Sequence, residues 1–453
     1  MSERIIIRGG RVIDPATKFD AVADVLVEDG RIAAIGQRMT VDGARDIDAR
    51  GLIVAPGFVD VHTHLRDPGL EYKEDIASGT RAAARGGFTT VCAMPNTEPA
   101  MDTRSVVEYV LREAAARASV RVLPIGAVSR GRAGKELAEL GDLAAAGCIA
   151  FSDDGAPVWD ATLMRRALEY ASIFDLPIID HCEDKSLASE AVMHEGWVST
   201  RLGLRGAPAA SEEAAVSRDI ALAEASGAHV HIAHVSTRAA VDAVRRARAR
   251  GVRVTAEVTP HHLTLTDEVV AFGADLTPPL RPAERGSELV YDTNAKVNPP
   301  LRSQADVDAC VAGLADGTID CIATDHAPHA VIEKLCEFDD AAFGISGLET
   351  AFGLCMRLVH AGRIDLETMI ERLTIGPVRA LGLDRHVHGI GTLVVGAPAD
   401  IVLLDPDAEW VVEPERFASK GKNTPLAGVT LRGAVVATIA EGRVVHESGV
   451  PVA

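Results

Sequence analysis

Residues 56–69 read PGFVDVHTHLRDPG, a short apolar run that ends in two histidines one residue apart. Along an extended strand, residues i and i+2 point to the same face. His62 and His64 therefore project together at the end of the run, as two ligands of one metal ion would. Arg66 and Asp67 follow directly. A lone His-x-His is weak evidence, because two neighbouring histidines are more often surface or hydrogen-bonded core residues. Its weight depends on what the rest of the chain sets beside it.

The surrounding pattern alternates. Apolar runs rich in Val, Ile, Phe and Ala occur near 57–62, 88–94, 120–127, 148–152, 177–181, 229–234, 252–258 and 320–324. Runs of this kind suit strands buried on both faces of a parallel sheet. Between them lie amphipathic segments such as SVVEYVLREAAARA, ATLMRRALEYASIF, SEEAAVSRDIALAEASG and TRAAVDAVRRARARG, which read as helices. SQADVDACVAGLADG reads as another, with Ser303 and Asp306 resembling a capping box at its start. Eight strand-then-helix units predict an α/β fold, a (β/α)8 barrel, with an open doubly wound sheet as the alternative. The segment 258–300 is too long for an ordinary connection and is expected to be functional.

The two ends have a different texture. RIIIRGGRVID, DVLVEDGRIAAIG and ARGLIVAPG carry Val/Ile runs broken by Gly-Gly and Asp-Gly, a hairpin signature. ADIVLLDP and VTLRGAVVATIAEGRVV repeat it near the C-terminus. One small β-sandwich built from both termini, 1–55 and 384–453, is expected around a barrel at 56–383.

Composition narrows the function. The chain has 453 residues, 47% hydrophobic and 25% charged, an ordinary globular balance. A formal net charge of −19 argues against nucleic acid, which needs clustered positive charge. Seven scattered cysteines without a CxxC pair suit a reducing compartment. Cys92, Cys148, Cys182 and Cys321 sit in apolar runs and read as small buried hydrophobes. The start MSERIIIRGGRVID lacks a signal-peptide pattern. No apolar run reaches the roughly 20 residues that cross a bilayer. The expectation is a cytoplasmic protein with no membrane partner.

In a barrel, active-site residues lie at the C-terminal ends of the strands. Strand one ends DVHTHLRD, strand two CAMPNTEP, strand four AFSDDG, strand five IIDHCED, strand six HIAHVS and strand eight IATDHAPH. His62, His64, Asp154 (or Asp153), His181, His234 and Asp325 thus converge on one rim. Histidine and carboxylate ligands suit Zn²⁺ or a similar divalent ion. Six exceed the needs of one tetrahedral ion and suggest a two-metal site with a shared carboxylate. Singly, each would read as a hydrogen-bonded histidine or a capping Asp; all six at strand ends of one barrel would not. His194, His229, His231, His360, His386, His388 and His446 lack this placement and read as surface or hydrogen-bonded. A metal-activated water, its pKa lowered to roughly 7, would attack an amide-type carbonyl. Asp325 is expected to take the proton and deliver it to the leaving nitrogen.

These motifs resemble a known family. GFVDVHTHLRDPG, MPNT, FSDDG, HCED, HVST, EVTPHHL, DTNAKVNPPLR, ATDHAPH and FGISGLET together look like the long bacterial type of dihydroorotase, in the amidohydrolase superfamily. The resemblance implies the terminal β-sandwich and metal ligands His62, His64, Asp154, His181, His234 and Asp325. It places the ligand of FSDDG at Asp154, and an Asp bridge where many relatives use a carboxylated lysine. It implies one or two zinc ions and substrate contacts from His64, Arg66, Asn96, Asn298, His329, Phe343 and Gly344. Arg66 and Asn96 would hold a substrate carboxylate, for which a planar guanidinium is well shaped. Otherwise Arg66 would pair with Asp67 and Asn298 would be a turn residue before Pro299. The implied reaction is the reversible cyclisation of N-carbamoyl-L-aspartate to L-dihydroorotate in pyrimidine synthesis. The alternatives are an allantoinase- or hydantoinase-like enzyme, or an inactive scaffold for aspartate transcarbamoylase. A small-molecule substrate, a homodimer and a complex with that transcarbamoylase are the expected partners.

Overall fold

The computed structural model describes residues 4–274 and 289–448. Residues 275–288, inside the long 258–300 segment, lie outside the described residues. Eight parallel strands occupy the eight apolar runs. They are strand 1 (Phe58–Thr63), strand 2 (Phe88–Ala93), strand 3 (Arg121–Pro124), strand 4 (Phe151–Ser152), strand 5 (Ile178–Asp180), strand 6 (Val230–Ile232), strand 7 (Val254–Val258) and strand 8 (Cys321–Ile322). Strands 1 to 3 and 4 to 8 pair in sequence order. Parallel bridges Gly126–Phe151 and Thr63–His326 join the two groups and close the barrel. An open sheet is thereby excluded.

The continuous apolar runs have a direct cause. Phe58, Phe88, Val91 and Ile178 point outward into the layer between strands and helices. Val59, Val61, Cys92 and Ile179 join a second cluster with Leu381 and Leu383 from the helical segment behind them. Each strand is buried on both faces, so neither register needs a polar stripe. The expected helices form at Arg104–Arg117, Ala161–Ser172, Ala210–Ser226, Arg238–Ala249 and Gln304–Asp316. Ser303 caps the last through the Asp306 amide, while the Asp306 carboxylate takes the Ser303 hydroxyl rather than its amide. The capping is therefore half of the expected box.

The remaining long strands come from both ends of the chain and share one hydrogen-bonded sheet. Its order is Arg443–Glu447, Thr430–Ala440, Ile401–Val411, Ile53–Pro56, Ile5–Asp14, Phe19–Glu28, Arg31–Gly36, with Arg45–Asp48 beside Ile5–Asp14. Strand Ile53–Pro56 lies two residues before strand 1, so the sheet anchors the strand that carries His62. All seven cysteines are free, and only Cys336 is exposed. Among the described residues, no helix is long and apolar enough to cross a membrane.

Candidate active site

The structure brings all six expected ligand residues together at the C-terminal rim, each buried. His62 and His64 leave the end of strand 1 on one face, as the alternation requires. Their Nε2 atoms lie 3.6 and 2.9 Å from Asp325 Oδ1. Asp154 reaches between the histidines. Its Oδ1 is 3.3 Å from His62 Nε2, 3.7 Å from His181 Nδ1 and 3.6 Å from His234 Nε2, and its Oδ2 is 3.5 Å from His64 Nε2. Asp153 turns away, accepting from the amides of Val128 and Ser129 and from the Ser129 hydroxyl. Neighbouring residues at a strand end face opposite ways, and that separates the two carboxylates. Arg66, His234 and Asp325 have φ of 61°, 32° and 46°. Left-handed backbone is costly for such residues and clusters at functional sites.

Charge explains why these groups sit together. Burial raises the Asp154 carboxyl, but His62, His181 and His234 outweigh it and hold the group well below the usual range. Burial likewise opposes Asp325, and His62 and His64 hold it low. His62 is pulled the other way: burial lowers it, yet Asp154, Glu257 and Asp325 raise it well above an ordinary imidazole. Burial is the largest influence on His64 and leaves it lowered. Negative charge thus gathers on two carboxylates facing histidine nitrogens.

A second layer of residues fixes the first, and sequence reasoning missed two of its members. Glu257, in strand 7, accepts from His62 Nδ1 at 2.6 Å and from His231 Nε2 at 3.0 Å. The amide of His234 also points to it, at 3.3 Å. Burial resists its ionisation, but His62 and His231 hold it at about 2. An ionised Glu257 makes His62 Nδ1 the donor, so that in the neutral ring, the form that ligates a metal, the lone pair lies on Nε2 toward the rim. Asp60, in strand 1, accepts from the Thr324 amide at 3.0 Å and its hydroxyl at 2.5 Å. It ties strand 1 to strand 8 beside Asp325. The available signal was one acid in each apolar run, AEV and VDV.

The expected substrate residues line the same rim. Asn96 Oδ1 lies 2.7 Å from His64 Nδ1, so it orients that ring and leaves its amide NH₂ outward. Arg66 is 8% exposed, and no carboxylate among the described residues pairs with it. Asp67 pairs instead with Arg117 at 2.8 Å and with the Tyr109 hydroxyl at 3.1 Å. The Arg66 contacts are the Pro328 carbonyl at 3.3 Å and His329 Nε2 at 3.5 Å. His329 Nε2 also donates to the Phe343 carbonyl at 2.8 Å. Asn298 lies against His181 Nε2 at 3.1 Å and Glu183 at 3.3 Å. Gly344 has φ 146°, and a Cβ there would stand 2.6 Å from the Ala327 carbonyl oxygen, so only glycine fits.

The donor set fits a divalent ion. His62 Nε2 and Asp154 Oδ1 are buried and make no hydrogen bond, whereas buried polar atoms are nearly always paired. No Lys or Arg among the described residues forms an ion pair with Asp154 or Asp325. Two overlapping groups, His62–His64–Asp325 and His62–Asp154–His234, each bring ligand atoms within 4.8 Å of one another.

Known proteins share this architecture. A family model described as dihydro-orotase-like matches residues 51–240. A dihydroorotase from Anaeromyxobacter sp. (strain K) is 53% identical over 450 residues, covering 99% of each chain. One from Geobacter sp. (strain M21) is 51% identical over 446 residues, covering 98% of this chain and 100% of the relative. An L-hydantoinase (dihydropyrimidinase) from Arthrobacter aurescens superposes with a TM-score of 0.85 at 26% identity, covering 100% of this chain and 98% of that one. The barrel, its histidine–carboxylate rim and these likenesses define a cyclic-amide hydrolase of the amidohydrolase superfamily. Within that superfamily, the chain belongs to the dihydroorotase family.

Proposed function

We propose that the protein interconverts L-dihydroorotate and N-carbamoyl-L-aspartate at a centre of one or two zinc ions held by His62, His64, Asp154, His181, His234 and Asp325. Bound there, the metal would polarise the ring carbonyl and lower the pKa of a water to roughly 7. In the hydrolytic direction Asp325, held ionised by His62 and His64, accepts the proton of the attacking water. Water oxygen bonds to the ring carbonyl carbon and the C–N bond breaks. The same proton passes from Asp325 to the departing nitrogen. Cyclisation reverses each movement. Arg66 and the Asn96 amide hold the substrate carboxylate and so set the scissile bond over the cluster.

The buried, unpaired Arg66 carries this reading. A desolvated guanidinium on the rim of the ligand cluster calls for an anion. L-Dihydroorotate supplies one, whereas hydantoin and dihydrouracil have no such carboxylate. The histidine–carboxylate donor set and the family resemblance support zinc as the ion; scattered free cysteines support a cytoplasmic setting; the resemblance supports a homodimer and a complex with aspartate transcarbamoylase. It also supports division of the chain at 55/56 and 383/384.

The test is turnover of L-dihydroorotate and of dihydrouracil by the purified protein, beside metal analysis of the same sample. Wild type should act on the first and barely on the second. Arg66→Met should lower kcat/KM for dihydroorotate by on the order of 10²-fold with metal content unchanged. Comparable turnover of both substrates, or indifference to Arg66→Met, would favour the hydantoinase-like alternative.

A further inference from the structure

Two buried lysines beside the substrate rim have no acid partner among the described residues. Lys296 is 2% exposed and Lys334 is 4% exposed. Neither forms an ion pair among the described residues; both donate to backbone carbonyls. Lys334 Nζ donates to Thr293 O at 3.0 Å, Lys296 O at 3.1 Å and Ala342 O at 2.6 Å. In return the Thr293 hydroxyl donates to Lys334 O at 2.6 Å. Lys296 Nζ donates to Phe338 O at 2.8 Å and Asp339 O at 2.9 Å, and stands 4.5 Å from the centroid of the Phe343 ring. The Gly344 amide closes the set on Lys296 O at 2.9 Å.

These contacts run in both directions between two segments. Lys334, on the 330–344 loop, grips the 293–298 segment; Lys296, on that segment, grips the loop. An ammonium has three N–H donors and no acceptor, so three converging carbonyls, or two and an aromatic face, satisfy it fully. Burial, then the like charge of Lys296, pushes the Lys334 ammonium down to about 7, against Asp292, Cys336 and Glu333. The three carbonyl oxygens favour its charged form. The clamped segments carry Asn298, Phe343 and Gly344. Through the Phe343 carbonyl the clamp also reaches His329, whose ring lies beside Arg66.

We propose that Lys334 and Lys296 are positioning residues, whose reciprocal ammonium clamps fix the Asn298, Phe343 and Gly344 wall of the substrate pocket before substrate arrives. The proposal rests on the dihydroorotase reading for what the wall binds, but not for the clamp itself. Neither lysine touches the metal-ligand cluster, so each acts on binding more than on chemistry.

The experiment uses the full-length, metal-loaded protein and the variants Lys334→Met and Lys296→Met. Backbone hydrogen exchange is followed in 293–298 and 330–344, with kcat, KM and metal content measured in parallel. Each variant should exchange faster in both segments and raise KM for dihydroorotate, each on the order of tenfold. Metal content should stay unchanged and kcat should remain within about threefold. Unchanged exchange, or faster exchange with unchanged KM, overturns the proposal. If the wild type does not turn over dihydroorotate, the functional reading fails, and the exchange result alone decides the clamp. Should Lys334→Met fail to fold, Lys296→Met and Lys334→Gln carry the same measurements.

Discussion

Two clusters of ligand-type residues meet at strand 5, and only one belongs to the metal centre proposed above. His181 points into the barrel mouth, toward Asp154 and His234. Its neighbour Asp180 points the other way, into a buried group with Cys182 and Asp219. Cys182 Sγ lies 3.6 Å from Asp180 and 3.5 Å from Asp219, spacings that would also suit an ion. The difference is charge. Arg218 stands 2.7 Å from Asp219 and 3.5 Å from Asp180. Burial, together with Asp219, raises the Asp180 carboxyl well above its usual range. The outer cluster has its own counter-charge in Arg218. The rim cluster sets two carboxylates against four histidines; no Lys or Arg among the described residues forms an ion pair with either carboxylate, and the ligand atoms His62 Nε2 and Asp154 Oδ1 make no hydrogen bond. Ligand-like spacing is common to both; carboxylates faced by histidines alone, with no arginine paired to them, distinguish the rim.

The comparison can be broken most decisively at Asp325. Asp325→Asn keeps the shape and removes the base, and should reduce kcat for dihydroorotate by roughly 10²–10⁴-fold with thermal stability retained. Near-normal kcat would hand the proton transfer to another group. A smaller effect is expected one layer out. Glu257→Gln keeps an acceptor for His62 but loses the charge that fixes its tautomer, and should weaken metal affinity by about 10–100-fold. Competition with a chromophoric chelator measures this; unchanged affinity would make Glu257 a packing residue only. The smallest functional effect belongs to the outer cluster. Asp219→Asn should leave kcat and metal content as in wild type. It should lower stability by about 1–3 kcal/mol, because Arg218 loses its charged partner. Loss of bound metal in Asp219→Asn, seen by elemental analysis beside denaturant unfolding, would erase the distinction between the clusters.

Much of this was legible in the chain because it depends on local pattern. Each of the eight apolar runs contains a barrel strand, and the polar residues that ended them reached one rim. What failed to show was pairing across the barrel. Glu257 and Asp60 are each a single acid within an apolar run; only strand register set one against His62 and the other against Thr324. The choice between Asp153 and Asp154 came from resemblance to a family motif. Its physical cause, the Val128 and Ser129 amides that capture Asp153, lies 25 and 24 residues earlier in the chain. Lys296 and Lys334 carried no signal, since their partners are backbone carbonyls of irregular segments, without periodicity.

The sequence by itself determined the alternation of strands and helices, because burial of both strand faces demands continuous apolar runs and each helix demands an apolar stripe. It also determined which residue types end the strands, and hence the chemistry available at the rim. Tertiary structure alone decided which of those groups face histidines and which gain an arginine. Net charge in a cluster is a sum over residues far apart in the chain, and only closure of the barrel sets Asp154 among four histidines while giving Asp180 an arginine.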